Sequence, residues 1–283
     1  MKFVVVSGRS GSGKSTALHM LEDMEFYCVD NLPASLLPSM AEKLSAYEPG
    51  KIAVGIDARN MSADLERFAE LLKLIPSDVE LHIIYLDAKD ETLIKRFAET
   101  RRKHPLSNEK TSLLEALTAE SRQLENIALQ ADLSIDTSEM NLHDLREFIK
   151  TRIDSDAESN ALSLLFQSFG YKKNVPIDSD IVFDVRCLPN PYWDESLREF
   201  TGNDKPIIDF LSASTDAHQM LEDINNYLKK WIPKYEATDR RYITVSIGCT
   251  GGKHRSVFIA NQLQQKFESH YNDVKVRHRQ LGS

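Results

Sequence analysis

The chain has 283 residues, 41% of them hydrophobic and 28% charged, the balance of a globular protein long enough for two domains that each bury a core. No apolar run approaches the ~20 residues a membrane span needs, and the apolar start at residues 3–6 is too short for a signal peptide's core. Three widely spaced cysteines, Cys28, Cys187 and Cys249, suit a reducing compartment and match neither a disulfide framework nor a zinc pattern, so a soluble cytoplasmic protein with no membrane partner is expected.

The net charge of −8 is unevenly spread: residues 240–283 hold eight Lys or Arg against two acids, a balance of +6, which leaves −14 for residues 1–239. That asymmetry predicts an acidic body with a basic carboxyl-terminal face able to attract a polyanion, or simply a solvated basic helix end.

In chain order, a strand is predicted over residues 3–6 and a helix over 15–24. Between them stands Gly8-Arg9-Ser10-Gly11-Ser12-Gly13-Lys14-Ser15, with the G-x4-GKS spacing of a Walker A loop. Glycines let successive amides turn inward around a polyphosphate; Lys14 would reach the terminal phosphates and Ser15 would ligate Mg2+. Further strands at 52–56, 81–86 and 133–135 alternate with helices at 63–74, 91–102 and 141–152, which predicts a parallel sheet with ligands at the strands' carboxyl ends.

A Mg2+ site also needs a strand-end carboxylate, and Asp30, Asp57 and Asp87 each close an apolar run. Asp57 is chosen, because Asp30 could start the Asn31-Leu32-Pro33 turn and Asp87 could cap the following helix. Arg96, Arg101, Arg102 and Lys103 fall where a phosphotransferase would place an arginine lid, or form a solvated basic face.

The polar stretch 154–160 is read as a linker after a first domain of residues 1–153. The second domain, 161–283, opens with 161–169 and a strand at 181–185, followed by a helix whose Met220, Leu221, Ile224, Tyr227, Leu228 and Trp231 form a core stripe. A strand at 242–247 and a helix at 257–267 flank Cys249-Thr250-Gly251-Gly252-Lys253-His254-Arg255-Ser256, a second glycine-rich turn suited to an anion. Cys-x5-Arg-Ser is also the spacing of cysteine-dependent phosphatases, with Gly248 where those enzymes carry histidine and only Asp184 or Asp194 as guesses for an acid. The end interleaves Lys266, Lys275, Arg277 and Arg279 with Phe267, His270, Tyr271 and His278, so cations could pair with phosphate while rings stack on unpaired bases; a frayed helix end is the plainer possibility.

These motifs occur together, with Phe26-Tyr27-Cys28-Val29-Asp30-Asn31-Leu32-Pro33, Asp184-Val185-Arg186 and Leu188-Pro189-Asn190-Pro191, in an order that resembles the RapZ/YvcJ family of P-loop nucleotide-binding proteins over essentially the whole chain. The resemblance implies an α/β protein: an amino-terminal P-loop NTPase domain with a kinase-like parallel sheet, and a second α/β domain. It implies ATP at Gly8, Arg9, Ser10, Gly11, Ser12, Gly13, Lys14 and Ser15, with a guanine-nucleotide (GTP) contact at Asp57, Ala58, Arg59 and Asn60. It further implies an RNase adapter that binds small regulatory RNA through Lys266, His270, Lys275, Arg277, His278 and Arg279 and presents it to RNase E, thereby controlling glucosamine-6-phosphate synthesis.

A phosphorylated amino sugar is a candidate for the anion at Cys249 to Ser256, weak ATP or GTP hydrolysis the most catalysis expected, and a homo-oligomer the expected assembly. Further Lys and Arg would be expected where the sequence has Gln280-Leu281-Gly282-Ser283, so RNA affinity is expected to be reduced. A P-loop small-molecule kinase and a Cys-x5-Arg phosphatase remain the alternatives.

Overall fold

The structure is a computed structural model that describes residues 1–44, 50–108, 110–153, 162–237, 240 and 242–281. The expected linker at 154–160, Arg241, Gly282 and Ser283 lie outside the described residues. The chain divides into two compact units, Met1–Asp154 and Ser155–Ser283.

In the first unit, β1 (Lys2–Gly8) is followed by α1 (Lys14–Asp23), β2 (Tyr27–Val29), α2 (Leu37–Lys43) and β3 (Lys51–Gly55). Then come α3 (Ser62–Glu66), α4 (Phe68–Leu72), β4 (Glu80–Asp87), α5 (Asp90–Thr100), α6 (Leu113–Gln123), α7 (Glu125–Leu129), β5 (Leu133–Asp136) and α8 (Leu142–Ile153). The five strands form one parallel sheet in the order β2-β3-β1-β4-β5. The unbroken apolar run Phe3-Val4-Val5-Val6 is wholly buried because β1 is the central strand, covered on both faces. The register pairs Val6 with Gly55 of β3 and Gly8 with Leu86 of β4, so the chain leaves three neighbouring strands at one edge of the sheet.

In the second unit, β6 (Ser163–Gly170), β7 (Ile181–Asp184), α9 (Lys205–Ser212), α10 (Thr215–Glu236), β8 (Tyr242–Cys249), α11 (Arg255–Glu268) and β9 (Asp273–His278) follow in sequence. Its four strands are parallel in the order β7-β8-β6-β9. Phe166, Ile243, Val245, Ile247, Ile259, Leu263 and Phe267 are core residues, joined by Leu221, Ile224, Leu228 and Ile232 of α10. The α/β expectation therefore holds for both units. No helix among the described residues is long and apolar enough to cross a membrane.

Several details depart from the sequence reading. The helix expected at 63–74 is two short helices broken at Arg67, whose φ of −94° and ψ of 13° lie off the helical values. The helix expected to reach residue 102 stops at Thr100, because Arg101 turns left-handed at φ 52°. On α10, Tyr227 and Trp231 remain 42% and 38% exposed instead of completing the core stripe. The carboxyl-terminal end is neither a frayed helix nor a free tail: it is strand β9, paired with β6.

Candidate functional site

The loop after β1 has a conformation that only glycine holds without strain. Gly8 sits at φ 142°, and a Cβ there would lie 2.0 Å from the Leu86 carbonyl oxygen; Gly13, at φ 109°, starts α1. Ser12 N–H donates to the Arg9 carbonyl at 3.1 Å, closing the loop on itself. Helix α1 carries no acid in its first turn, so none of its own side chains offsets the positive end of its dipole. The Lys14 ammonium folds back to donate to the Gly8 carbonyl at 2.6 Å. Burial pushes it below the ordinary lysine value, against the pull of Glu120 and Asp57.

A cavity of about 670 Å3 opens on this loop, within the size range of small-molecule sites. Ser10, Gly11, Ser12, Gly13, Lys14, Ser15 and Thr16 line it, and so do Asp57, Arg59, Arg96, Arg102 and Lys103. Gly8 and Arg9 lie behind it. Arg9 turns its guanidinium away, donating Nε to Asp87 at 2.7 Å and its two Nη groups to Asp90 and to the Ala88 carbonyl. That contact commits Asp87, while Asp30 accepts from the Asn31 amide in the turn anticipated for it. Of the three strand-end acids, Asp57 lines the cavity.

Asp57 is 6% exposed and held by Arg59 through four hydrogen bonds: the Arg59 amide at 2.9 Å, Nε at 3.1 and 2.9 Å, and Nη2 at 2.6 Å. Burial opposes the Asp57 charge, but Arg59 outweighs it and keeps the carboxyl below the usual carboxylate range. Ala58 is buried, and Asn60 accepts from the Ala34 amide at 2.7 Å, so Asp57 and Arg59 are the members of that quartet that line the cavity. Arg96 ties the loop to the end of β5, donating to the Gly11 carbonyl at 2.9 Å and to the Thr137 carbonyl at 2.6 Å.

Two residues the sequence reading missed, His104 and Glu120, grip the loop from behind: Glu120 accepts from the Ser10 amide at 2.8 Å and from its hydroxyl at 2.7 Å. The available signal was the capping box Ser112-x-x-Glu115, which starts α6 and puts Glu120 on the same buried face as Ala116 and Leu117.

In the second unit, the turn between β8 and α11 wraps around the Cys249 sulfur. Gly252 N–H donates to Sγ at 3.2 Å, and the Ser256 hydroxyl lies 3.1 Å away. Burial opposes the thiolate, but these contacts and the Arg255 charge draw the thiol below its ordinary value. Arg255, 5% exposed, donates Nη1 to the Arg186 and Leu188 carbonyls at 2.7 and 3.0 Å and sets Nη2 3.3 Å from the Thr250 hydroxyl. Its buried Nε–H and the buried His254 Nε2 meet no protein partner. Helix α11 also lacks an acid in its first turn.

For a phosphatase the Cys249 thiol would be the nucleophile, but the candidate acids are committed. Asp184 is clamped by Arg186 and Asp194 by Ser196, and both are held below the ordinary value and ionised at neutral pH.

The basic end is more tightly tied than a tail would be. Along β9, Lys275 and Arg277 share one face by strand alternation, and Arg279 continues it. Lys275 pairs with Asp273 at 2.9 Å, and Arg279, with a 3% exposed side chain, approaches Asp178 at 3.8 Å. His278 lies between the Ser168 hydroxyl and Asn261, while Lys266 reaches Glu222 at 2.7 Å and His270 is exposed. Phe267 is corrected from a base-stacking ring to a core residue, 1% exposed and packed on Phe166 and Tyr271.

Two family models match the chain: the RapZ-like N-terminal domain over residues 1–157 and the RapZ C-terminal domain over residues 162–282. A protein of Marinobacter nauticus named nucleotide-binding protein is 52% identical over 99% of this chain and 97% of its own. One of the same name from Stutzerimonas stutzeri is 50% identical over the full length of both. Among solved structures, a sugar kinase from Janibacter is 21% identical with a TM-score of 0.38, covering 55% of this chain and 96% of that one. A shikimate kinase from Bacteroides thetaiotaomicron is 12% identical with a TM-score of 0.34, covering 54% of this chain and 98% of that one.

Proposed function

The chain belongs to the RapZ family, and on that premise we propose that it is a nucleotide-responsive RNA adapter whose first unit binds ATP or GTP in the cavity on the Gly8 to Ser15 loop. The observation that carries the nucleotide reading is one cavity lined by Lys14 and the acid-free start of α1 together with Arg59, Arg96, Arg102 and Lys103, five cations against the two acids Asp57 and Glu99. So much positive potential in one concave site is best matched by a polyphosphate.

Mg2+ fits the donors present, because Ser15 and Asp57 are oxygen ligands on the same cavity. The ion would supply charge neutralisation of the phosphates, and Asp57 would hold it only to the extent that Arg59 shares the carboxylate. Arg59 and Asp57 are the residues this reading assigns to a guanine-nucleotide contact. Slow hydrolysis is the most catalysis the site calls for.

For the second unit we read the Cys249 to Ser256 turn as an anion site, supported by the partnerless Arg255 Nε–H. A phosphorylated amino sugar is the ligand favoured by the family. The family likewise favours small regulatory RNA as the macromolecular partner, presented to RNase E, with Lys275 and Arg277 on the edge strand and Lys266 and His270 nearby in sequence as its contacts. Crosslinking the protein to RNA in cells and sequencing what is bound tests the adapter reading. Enrichment of a few small RNAs is expected; a sample of transcripts in proportion to their abundance would count against it.

A further inference from the structure

The segment that follows α5 leaves the helix at the left-handed Arg101 and brings Arg102, Lys103 and Pro105 to the wall of the P-loop cavity. Between them His104 turns inward, its side chain fully buried, with Nε2 3.0 Å from Glu120 Oε2. The Leu106 amide donates to His104 Nδ1 at 3.1 Å. A ring that accepts at Nδ1 directs its Nε2–H at Glu120.

Glu120 therefore receives three donors: His104 Nε2–H, the Ser10 amide and the Ser10 hydroxyl. A wholly buried carboxylate costs several kcal/mol unless its lone pairs are met in this way. It also sets a negative charge behind a loop suited to an anion, and it pulls on Lys14 more strongly than Asp57 does. Its neighbours on the buried face of α6, Ala116 and Leu117, are apolar, and another apolar residue would fill the position at no electrostatic cost. What an apolar residue could not do is hold the loop and the cationic segment at once.

We propose that Glu120 is a positioning residue that, through His104, fixes Arg102 and Lys103 in register with the P-loop so that their cations act on the phosphates of the bound nucleotide. The inference rests on the nucleotide reading of the cavity. Two hydrogen-bonded links, His104 to Glu120 and Glu120 to Ser10, tie the backbone that carries Arg102 and Lys103 to the loop, and pre-setting two flexible cations spares the nucleotide the entropy of ordering them. Ser10 contributes its hydroxyl as well as its amide, so the loop's own side chain takes part in the register.

The test is calorimetry with Mg-ATP and with adenosine on the full chain, comparing wild type, His104→Ala and His104→Gln, each alone and combined with Arg102→Ala/Lys103→Ala. In His104→Ala, ATP affinity is expected to fall about ten- to a hundredfold, the worth of one or two charged hydrogen bonds, with adenosine unaffected. In His104→Gln, whose amide can still donate to Glu120, most of it returns. The double substitution of Arg102 and Lys103 weakens wild type by a similar factor and costs His104→Ala nothing further. A folded His104→Ala that binds ATP like wild type, or equal losses from the double substitution in both backgrounds, overturns the proposal. Should His104→Ala lose its fold, His104→Asn, which keeps a polar group but not the reach to Glu120, takes its place, and the same two results overturn the proposal. A wild-type chain that takes up no ATP is compared in the same way with Mg-GTP and guanosine, and one that takes up neither nucleotide overturns the nucleotide reading first, and this inference with it.

Discussion

Arg59 closes on both carboxylate oxygens of Asp57, with Nη2 2.6 Å from Oδ2 and Nε between the two, so the strand-end acid beside the P-loop already has a cation of its own. Asp57 is buried while Arg59 is half exposed, and the pair stands on the cavity wall. The Asp57 carboxyl is held below its unfolded value, so its contribution to stability is present above the ordinary carboxylate range and is lost as pH falls through the folded value. Arg59→Ala is expected to cost about 1–2 kcal/mol at pH 7, the worth of a charged hydrogen-bonded pair discounted for the exposed partner. Denaturant midpoints measured from pH 7 downward should show that gap closing below about pH 4. A gap that persists into acid would show that Arg59 stabilises by packing alone.

Gly8→Ala and Gly251→Ala should part company. A Cβ on Gly8 lies 2.0 Å from the Leu86 carbonyl oxygen in a backbone conformation closed to alanine, whereas one on Gly251 meets nothing within 4 Å. Thermal melts should find Gly8→Ala destabilised by about 3 kcal/mol or more, or unfolded, and Gly251→Ala within about 0.5 kcal/mol of wild type.

Cys28 gives an alkaline signature. Burial, with Glu22 nearby, pushes its thiol up to about 11 from 9.0. A raised folded value means that stability is complete below pH 9 and declines as pH rises to about 11. Cys28→Ala should flatten that limb of a stability profile, and an unchanged decline would assign it to other groups.

On the basic edge, neutralising Lys275 and Arg277 together should reduce the salt slope of RNA binding by about 0.7 for each phosphate that these two cations pair with. Arg279→Gln is expected to report on folding instead, lowering the melting temperature, because its side chain is 3% exposed beside Asp178. If Arg279→Gln left stability intact and changed only the salt slope, the buried pairing with Asp178 would not matter to the fold.

The P-loop was legible because backbone stereochemistry demands glycine at residues 8 and 13 and because the apolar run before it has nowhere to go but a sheet interior. Asp57 could be picked out as the end of an apolar strand, but Arg59's hold on it could not, since a charged residue two positions on reads equally well as solvated surface. Glu120 was hard to see for a different reason: the capping box could set its face of α6, but its partner Ser10 lies 110 residues away, and a glutamate on a helix reads locally as exposed. Strand β9 escaped the sequence because its cations mask the alternation of Val274 and Val276, which pack on the core, with Lys275 and Arg277. The break between α3 and α4 left no trace, because Leu65 and Phe68 keep helical spacing across it.

The central claim is that the Gly8 to Ser15 loop holds a nucleoside triphosphate, and titration calorimetry of folded wild type and Lys14→Ala with Mg-ATP and Mg-GTP tests it most directly. Wild type should bind at least one of the two with Kd in the micromolar range, about −8 kcal/mol, and Lys14→Ala, equally stable, should bind at least about a hundredfold more weakly. Heat of binding absent from wild type for both nucleotides, or unchanged in Lys14→Ala, would contradict it.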